Sequence, residues 1–281
     1  MPLQPPSPDE IVATFTPEID ENENGIYVLK EMSGLPRDIF IALNMGDSSI
    51  SSGLYSEISS FNNVELFGAA GPFSIYDVAC FLESHEYQGE LRVVDISSFP
   101  LDATRPYLER GSFGLRPDQF SLVNSSVLDL DTSLNADLIL ADVLSLYLSP
   151  EDLHRLATNT VRRLSSGGLY ITRDLVEPHG PPPPQKSSVS GQNKASKLQE
   201  FMLQEFIEDN YEVKMSLEEI QKRQDSIWAG IDTFPRNSVS EYTVPFLEAG
   251  LSLKQSIPIT SEAIYRTENP RVFYVNVFEK K

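Results

Sequence analysis

Residues 63–82 read NVELFGAAGPFSIYDVACFL, and this stretch decides the fold class. It begins with a short apolar run, Val64 to Phe67, which only Glu65 interrupts, and continues into the small residues Gly68 to Gly71. Beyond this turn, apolar residues recur at the spacing of one helix face: Ile75, Val78, Ala79 and Leu82. We predict a strand, a tight turn and a helix, which together form the repeating unit of an α/β sheet.

The same alternation continues toward the C-terminus. Residues 91–96 form a second predicted strand before a helix at 101–110, and residues 120–123 suit a third strand. Residues 136–142 are apolar between Asp137 and Asp142, which is the pattern of a parallel strand buried on both faces. These units predict an α/β fold with a doubly wound, mostly parallel sheet.

The clearest helix signal follows the fourth strand. Ser149 is the predicted N-cap, Pro150 takes the first helical position, and the helix ends near Arg163. We place Gly167 and Gly168 in the left-handed turn that ends this helix, followed by a fifth strand at 169–172. Residues 251–258 and 271–278 are two further predicted strands, since β-branched and aromatic residues are frequent in them.

Composition excludes several classes of partner. The chain has 281 residues and a formal net charge of −19 at pH 7, which repels nucleic-acid phosphates and anionic lipid. We therefore predict neither a nucleic-acid nor a membrane partner. The single cysteine, Cys80, and three histidines favour neither a disulfide nor a metal site. No signal-like or membrane-spanning stretch is found, which predicts a cytoplasmic protein; the oligomeric state is left open, a homodimer included.

Three residues at predicted strand ends have the chemistry of a ligand site: Gly68, Asp95 and Asp142. Glycine lets the backbone approach a ligand closely, and a carboxylate after the second strand can accept hydrogen bonds from both hydroxyls of a ribose. Because the carboxyl ends of parallel strands share one edge of the sheet, we expect the three to lie together. The alternative is that the small residues only pack helix against strand and that Asp95 caps the next helix through Ser97.

Four landmarks, in this order, resemble those of the class I S-adenosylmethionine-dependent methyltransferases. They are VELFGAAG at 64–71, VDIS at 94–97, ADLILADVL at 136–144 and LSSGGLYI at 164–171. The resemblance implies a Rossmann-like sheet of seven strands with an antiparallel last strand, S-adenosyl-L-methionine as cofactor, and methyl transfer. The negative charge favours a small-molecule substrate. Phe67 and Ala69 stand at the first two glycine positions of the family's turn.

The resemblance also implies which residues bind the cofactor. Asp95 would bind the ribose, and Asp129 lies just beyond the place of the acid that binds the adenine amino group. Tyr55 stands where the family often covers the cofactor with an aromatic side chain. The implied set is Tyr55, Glu65, Gly68, Ala69, Gly71, Asp95, Ile96, Asp129, Asp142 and Val143.

Catalysis and substrate binding have their own candidates. In-line approach of the acceptor to the methyl group can carry most of the rate, so a general base is optional. The candidate bases are His179, Asp142 and Tyr147. The apolar residues predicted to bind the substrate, for which helix packing is the alternative, are Phe201, Phe206 and Trp228.

The chain divides into two parts on this interpretation. Residues 1–62 form an N-terminal extension with helices that cover the cofactor cleft, and residues 63–281 form the methyltransferase domain. Within that domain, residues 178–235 form a flexible loop and a helical substrate-binding insertion, as the Pro-rich run at 181–184 indicates.

Two other functions compete with methyl transfer. A catalytically inactive member of the same fold, used for binding or scaffolding, is an alternative because of Phe67 and Ala69. A nicotinamide-dependent oxidoreductase is disfavoured, since residues 68–73 lack the Gly-x-Gly-x-x-Gly spacing and Pro72 has no N–H to donate to a pyrophosphate. The nucleophile of the methyl acceptor, oxygen, nitrogen or carbon, is left open.

Overall fold

The computed structural model describes residues 39–40, 42–44, 46–68, 72–111, 113–131, 135–176, 234, 236–259 and 272–281. Seven strands form one sheet: β1 (Asn63–Phe67), β2 (Glu90–Asp95), β3 (Phe120–Asn124), β4 (Ala136–Asp142), β5 (Leu164–Val176), β6 (Leu251–Ile259) and β7 (Val272–Lys280). The main helices are α1 (Ser48–Glu57), α2 (Pro72–Glu83), α3 (Ser98–Glu109), α4 (Pro150–Arg163) and α5 (Val239–Ala249).

The strand order is β3-β2-β1-β4-β5-β7-β6. Neighbouring strands from β3 to β5 are parallel, whereas β7 runs antiparallel to both β5 and β6. The predicted doubly wound, mostly parallel sheet with an antiparallel last strand is confirmed.

Helices cover both faces of the sheet, because side chains of a strand alternate between its faces. Leu66 and Leu140 belong to a core cluster with residues of α1, α2 and α3. Phe67 and Ile139 belong to a second cluster with residues of α4 and α5. The central strands are therefore buried on both sides, as the apolar run at 136–142 predicts.

The start of α4 confirms the predicted cap. The Ser149 hydroxyl accepts a hydrogen bond from the Asp152 N–H at 3.1 Å, and Pro150 is the first helical residue. Glu151 and Asp152 lie in the first turn and Arg162 in the last, which is the arrangement that the helix dipole favours.

The predicted left-handed turn at Gly167 and Gly168 is wrong as the end of α4. The helix ends at Arg163 and β5 begins at once with Leu164, so both glycines lie inside this strand. The β4–β5 register shifts beside them, and Gly167 takes the φ of +79° that this irregularity needs. The Ser165 hydroxyl donates to the Ala136 carbonyl at 3.1 Å and holds the irregular segment against β4.

The described residues before β1 pack on the face of α2 and α3. Ile39, Leu43, Leu54 and Ile58 are buried in the same cluster as Leu66. No helix within the described ranges combines the length and the apolar character needed to cross a bilayer.

Candidate functional site

Five residues form a row along the carboxyl edge of the sheet, across five neighbouring strands: Asn124, Asp95, Gly68, Asp142 and Arg173. Gly68 directly follows β1, which lies between β2 and β4. Neighbouring strands are spaced about 4.8 Å apart, so Asp95 and Asp142 stand about 10 Å from each other with the glycine between them. Gly68, Asp95 and Asp142, which the sequence places at strand ends, are thus neighbours along this edge of the sheet.

The row crosses the point where the strand order reverses. From β1 the chain proceeds to β2 and β3 on one side, and it then crosses to β4 on the other side. In open α/β sheets, ligands bind in the crevice outside the carboxyl ends of the strands at this switch point.

Gly68 has a backbone conformation that few other residues adopt. Its φ is +72°, and its N–H donates to the Val94 carbonyl at 3.0 Å. An added Cβ would meet the Leu144 side chain only at an ordinary 3.6 Å. The glycine is therefore required by the backbone conformation and not by lack of space.

Asp95 lies beside this turn at the end of β2 and is only 4% exposed. Its Oδ1 accepts a hydrogen bond from the Ser97 N–H at 2.8 Å, just before α3. The contact with Ser97 that the alternative interpretation invoked is thus present, as a bond to the residue just before the helix. A carboxylate can accept about four hydrogen bonds, so this contact and the binding of a diol are compatible.

Ile96 follows Asp95 and projects into solvent, with 74% of the residue exposed. The Asn124 side-chain amide donates to the Ile96 carbonyl at 2.8 Å and holds the backbone of this residue. The exposed Ile96 side chain thus provides an apolar surface next to the Asp95 carboxylate.

Asp142 forms a buried ion pair on the other side of Gly68. Its Oδ1 accepts a hydrogen bond from Nε of Arg173 at 2.7 Å, and both side chains are almost fully buried. The guanidinium carbon of Arg173 also lies 4.5 Å from the centre of the Phe273 ring. Asp142 is therefore engaged by a cation, which makes it a poor candidate for a base.

Val143 comes next and is strained. Its φ is +51°, and its N–H donates to the Arg173 carbonyl at 2.8 Å. A β-branched residue rarely adopts this left-handed conformation, and such strain concentrates at binding sites. The strained residue lies directly after the strand end that carries Asp142.

Tyr147 ends the 3-10 turn Leu144–Tyr147 that follows Val143. Burial, with the charge of Asp142 as a second cause, raises the pKa of its hydroxyl well above the ordinary value of 10. Its hydroxyl therefore stays protonated at neutral pH, where it can donate a hydrogen bond but is unsuited to accept a proton as a base.

Three other predicted cofactor residues are not part of the row and have partners of their own. Both carboxylate oxygens of Glu65 accept hydrogen bonds from Arg163, the last residue of α4, on the face of the sheet that this helix covers. Asp129 is exposed, and its Oδ1 lies 3.6 Å from a guanidinium nitrogen of Arg155 on α4. The ring of Tyr55 packs beside Phe81, at a centroid distance of 5.6 Å.

Tyr55 lies beside the C-terminal part of α2, at a distance from the carboxyl edge of the sheet. This helix begins near the carboxyl edge, and Phe81 lies nine residues after its first residue, Pro72. At 1.5 Å per residue this is about 13 Å along the helix axis. The Tyr55 hydroxyl donates to Oδ1 of Asn44 at 2.8 Å.

Phe67 occupies a glycine position of the resemblance but stays out of the row. It is 1% exposed and packs in the cluster with α4 and α5, on the face opposite Leu66. Several predicted residues lie outside the described part of the chain: Ala69, Gly71, His179, Phe201, Phe206 and Trp228.

Both ends of the predicted insertion meet the chain near this edge. Val176, the last residue of β5, forms a parallel bridge with Arg236. The Phe234 N–H donates to the Leu146 carbonyl at 2.7 Å, and Arg236 donates to the Leu148 carbonyl at 2.8 Å. The chain thus leaves and re-enters the described structure beside the turn that follows β4.

Arg173, Asp174 and Ser145 were not predicted from the sequence. The Asp174 carboxylate is buried and accepts hydrogen bonds from the side chains of Ser145, Thr172 and Asn276. A signal was available, since an adjacent Arg and Asp inside a strand of otherwise apolar character is unusual. Ser145 carries no comparable signal, because serine is common in turns.

No protein-family model matches the sequence, and no curated protein sequence matches it either. Among solved structures, the chain is similar to a proposed sarcosine dimethylglycine methyltransferase from Galdieria sulphuraria. The identity is 12%, the match covers 83% of each chain, and the TM-score is 0.51. A geranyl diphosphate C-methyltransferase from Streptomyces coelicolor also matches, with 12% identity, 83% of this chain and 80% of that chain covered, and a TM-score of 0.48. The sheet order and the first of these similarities show that the chain has the class I methyltransferase fold.

Proposed function

We propose that the chain is an S-adenosylmethionine-dependent methyltransferase that acts on a small molecule. The observation that carries this proposal is the buried carboxylate of Asp95, beside the left-handed Gly68 at the switch point of a sheet with the methyltransferase fold. In such sheets an acid at the end of β2 binds the hydroxyls of a ribose.

The chemistry of the residues fits the cofactor. Asp95 offers carboxylate oxygens for the ribose hydroxyls, and the exposed Ile96 offers an apolar surface for the adenine ring. Gly68 lets the backbone come close to the remaining part of the molecule. Bound there, S-adenosylmethionine would supply a methyl group on a positively charged sulfur; transfer of that group in line to the acceptor would break the sulfur–methyl bond and leave S-adenosylhomocysteine.

The residues of the chain would contribute orientation more than acid–base chemistry. Asp142 is engaged by Arg173, and Tyr147 keeps its proton. Holding the two reactants in line can supply most of the rate of such a transfer. His179 stays the predicted base for an acceptor that must lose a proton, and the identity of that acceptor is left open.

The substrate would bind where the insertion meets the carboxyl edge. Phe234 and Arg236 attach the returning chain to Leu146 and Leu148, immediately after the row of strand-end residues. We propose that residues 178–235, with Phe201, Phe206 and Trp228, provide the pocket for the acceptor. A small molecule fits an acidic chain that repels polyanions.

Replacing Asp95 tests the proposal. The Asp95→Asn variant keeps an oxygen that can accept from Ser97 but loses the charge that strengthens hydrogen bonds to a ribose. By titration calorimetry with S-adenosylhomocysteine, we expect micromolar binding by the wild type and binding about 10- to 100-fold weaker in the variant.

Asp118→Asn is the matched control. Asp118 is an exposed acid before β3, at the opposite edge of the sheet, and its replacement makes the same change in net charge. We expect the control to bind as the wild type does. Equal affinity of Asp95→Asn and the wild type would contradict the proposal.

A further inference from the structure

The turn that follows β4 is attached to β5 at three successive points. The Asp142 carboxylate pairs with the Arg173 guanidinium, and the Val143 N–H donates to the Arg173 carbonyl. The Ser145 hydroxyl then donates to Oδ1 of the Asp174 carboxylate. Residues 142–145 are thus fastened to two consecutive residues of the neighbouring strand.

Strain explains why this turn needs attachment. Val143 is one of two non-glycine residues with positive φ in the part of the chain that the structure describes. A valine in this conformation persists only where the surrounding contacts impose it. Without them, residue 143 would relax to negative φ and carry the end of β4 and the next turn with it.

Asp174, which accepts the third of these contacts, is itself held at both carboxylate oxygens. It is 1% exposed, and Oδ1 accepts from both Ser145 and Thr172, the latter at 3.2 Å. Oδ2 accepts from Nδ2 of Asn276 at 2.9 Å. The carboxylate is thereby fixed to β5 and β7. Its hydrogen bond from Ser145 connects this fixed group to the turn.

We propose that Asp174 is a positioning residue: through Ser145 it holds the strained Val143 turn against β5, and it thereby keeps the carboxyl end of β4 in the shape that binds the cofactor. This inference rests on the proposed function, because it concerns the same site. Asp174 itself touches neither cofactor nor substrate on this account. It acts through Ser145, from the face of the sheet that packs on α5.

Two matched variants separate positioning from general stability. Ser145→Ala and Thr172→Val each remove one buried hydroxyl that donates to the same oxygen of Asp174. Ser145 lies on the turn, whereas Thr172 lies within β5 and has no part in holding the turn. Both variants should lose some stability, but only Ser145→Ala should change the site.

Two measurements read out the difference. For S-adenosylhomocysteine in titration calorimetry, we expect Ser145→Ala to bind at least about fivefold more weakly than the wild type and Thr172→Val to stay within about twofold. In hydrogen exchange, the Val143 amide should exchange about tenfold faster in Ser145→Ala, measured relative to the Leu140 amide of the same strand. That ratio should not change in Thr172→Val.

Specific outcomes overturn the inference. Equal weakening of binding by the two variants would show that Asp174 acts through overall stability, and an unchanged Val143 exchange ratio in Ser145→Ala would show that Ser145 does not hold the turn. If the wild type binds neither S-adenosylmethionine nor S-adenosylhomocysteine, the proposed function fails. The exchange ratios then decide on their own whether Asp174 holds the turn.

Discussion

Asp174 is a buried carboxyl group whose ionisation the fold opposes. Burial raises its pKa from the ordinary 3.8 to about 6, although hydrogen bonds from Ser145, Asn276 and Thr172 act in the other direction. The charge of Asp142 adds to the increase. A carboxyl group with a raised pKa stabilises the fold fully only below its unfolded pKa, and this contribution is lost as the pH rises through 6.

Replacing this residue by Asn should make stability less dependent on pH. The shift corresponds to about 3 kcal/mol, at roughly 1.4 kcal/mol for each unit of pKa. From about pH 4 to about pH 7.5, we therefore expect Asp174→Asn to gain up to about 3 kcal/mol in unfolding free energy relative to the wild type. Urea unfolding of both proteins at both pH values measures this difference in unfolding free energy. A constant difference between the two proteins would contradict the raised pKa.

At the scale of residues, the sequence predicts some of the site and misses the rest for physical reasons. Gly68, Asp95 and Asp142 could be predicted because parallel strands bring their carboxyl ends to one edge. The left-handed conformation of Val143 could not, since valine is among the residues least suited to it. Contacts imposed by β5 override the local preference there.

At the scale of elements, one ion pair joins the first strand to the helix after the fourth. Glu65 of β1 and Arg163 of α4 are both fully buried, and Arg163 also donates to the Asp131 carbonyl. The sequence resemblance assigned Glu65 to the cofactor, because nothing in the local pattern shows a partner 98 residues away. Tertiary pairing of this kind follows from the packing of α4 on the sheet.

Replacing one partner of this ion pair should lower the free energy of unfolding strongly, and replacing both partners should lower it less. We expect Arg163→Met to lower the unfolding free energy by about 3 to 5 kcal/mol, because it leaves the Glu65 carboxylate buried without its cation. The double variant Glu65→Leu, Arg163→Met should recover much of that loss. Urea unfolding of the single and double variants measures both effects.

An exposed ion pair provides the control. Arg105→Ala removes the partner of Asp102, where both side chains are more than half exposed, and should change stability by no more than about 1 kcal/mol. A loss in Arg163→Met no larger than this would contradict a structural role for the buried pair.

The elements themselves were largely predictable, and the exception has a clear cause. Periodicity and capping predicted α2 and α4, a β-branched run predicted β2, and the apolar run between Asp137 and Asp142 predicted β4. The start of β5 was not predicted, because Gly167 and Gly168 suggest the end of a helix. Their place inside the strand depends on the shifted register against β4, which only the assembled sheet determines.

At the scale of the whole molecule, the strand order places the candidate site at one edge of the sheet. The doubly wound topology was predictable from the alternation of strands and helices and from the four family-like landmarks. It brings Asp95, Gly68 and Asp142 into one row and returns the chain at Phe234 and Arg236 beside them. The central claim is that this row binds S-adenosylmethionine.

A crystal structure of the protein with S-adenosylhomocysteine tests that claim most directly. The account predicts difference density along the carboxyl ends of β1, β2 and β4, with the ribose hydroxyls on the Asp95 carboxylate and the adenine against Ile96. Density for the ligand at any other edge or face, or a row of strand ends that stays empty at saturating ligand, would contradict it.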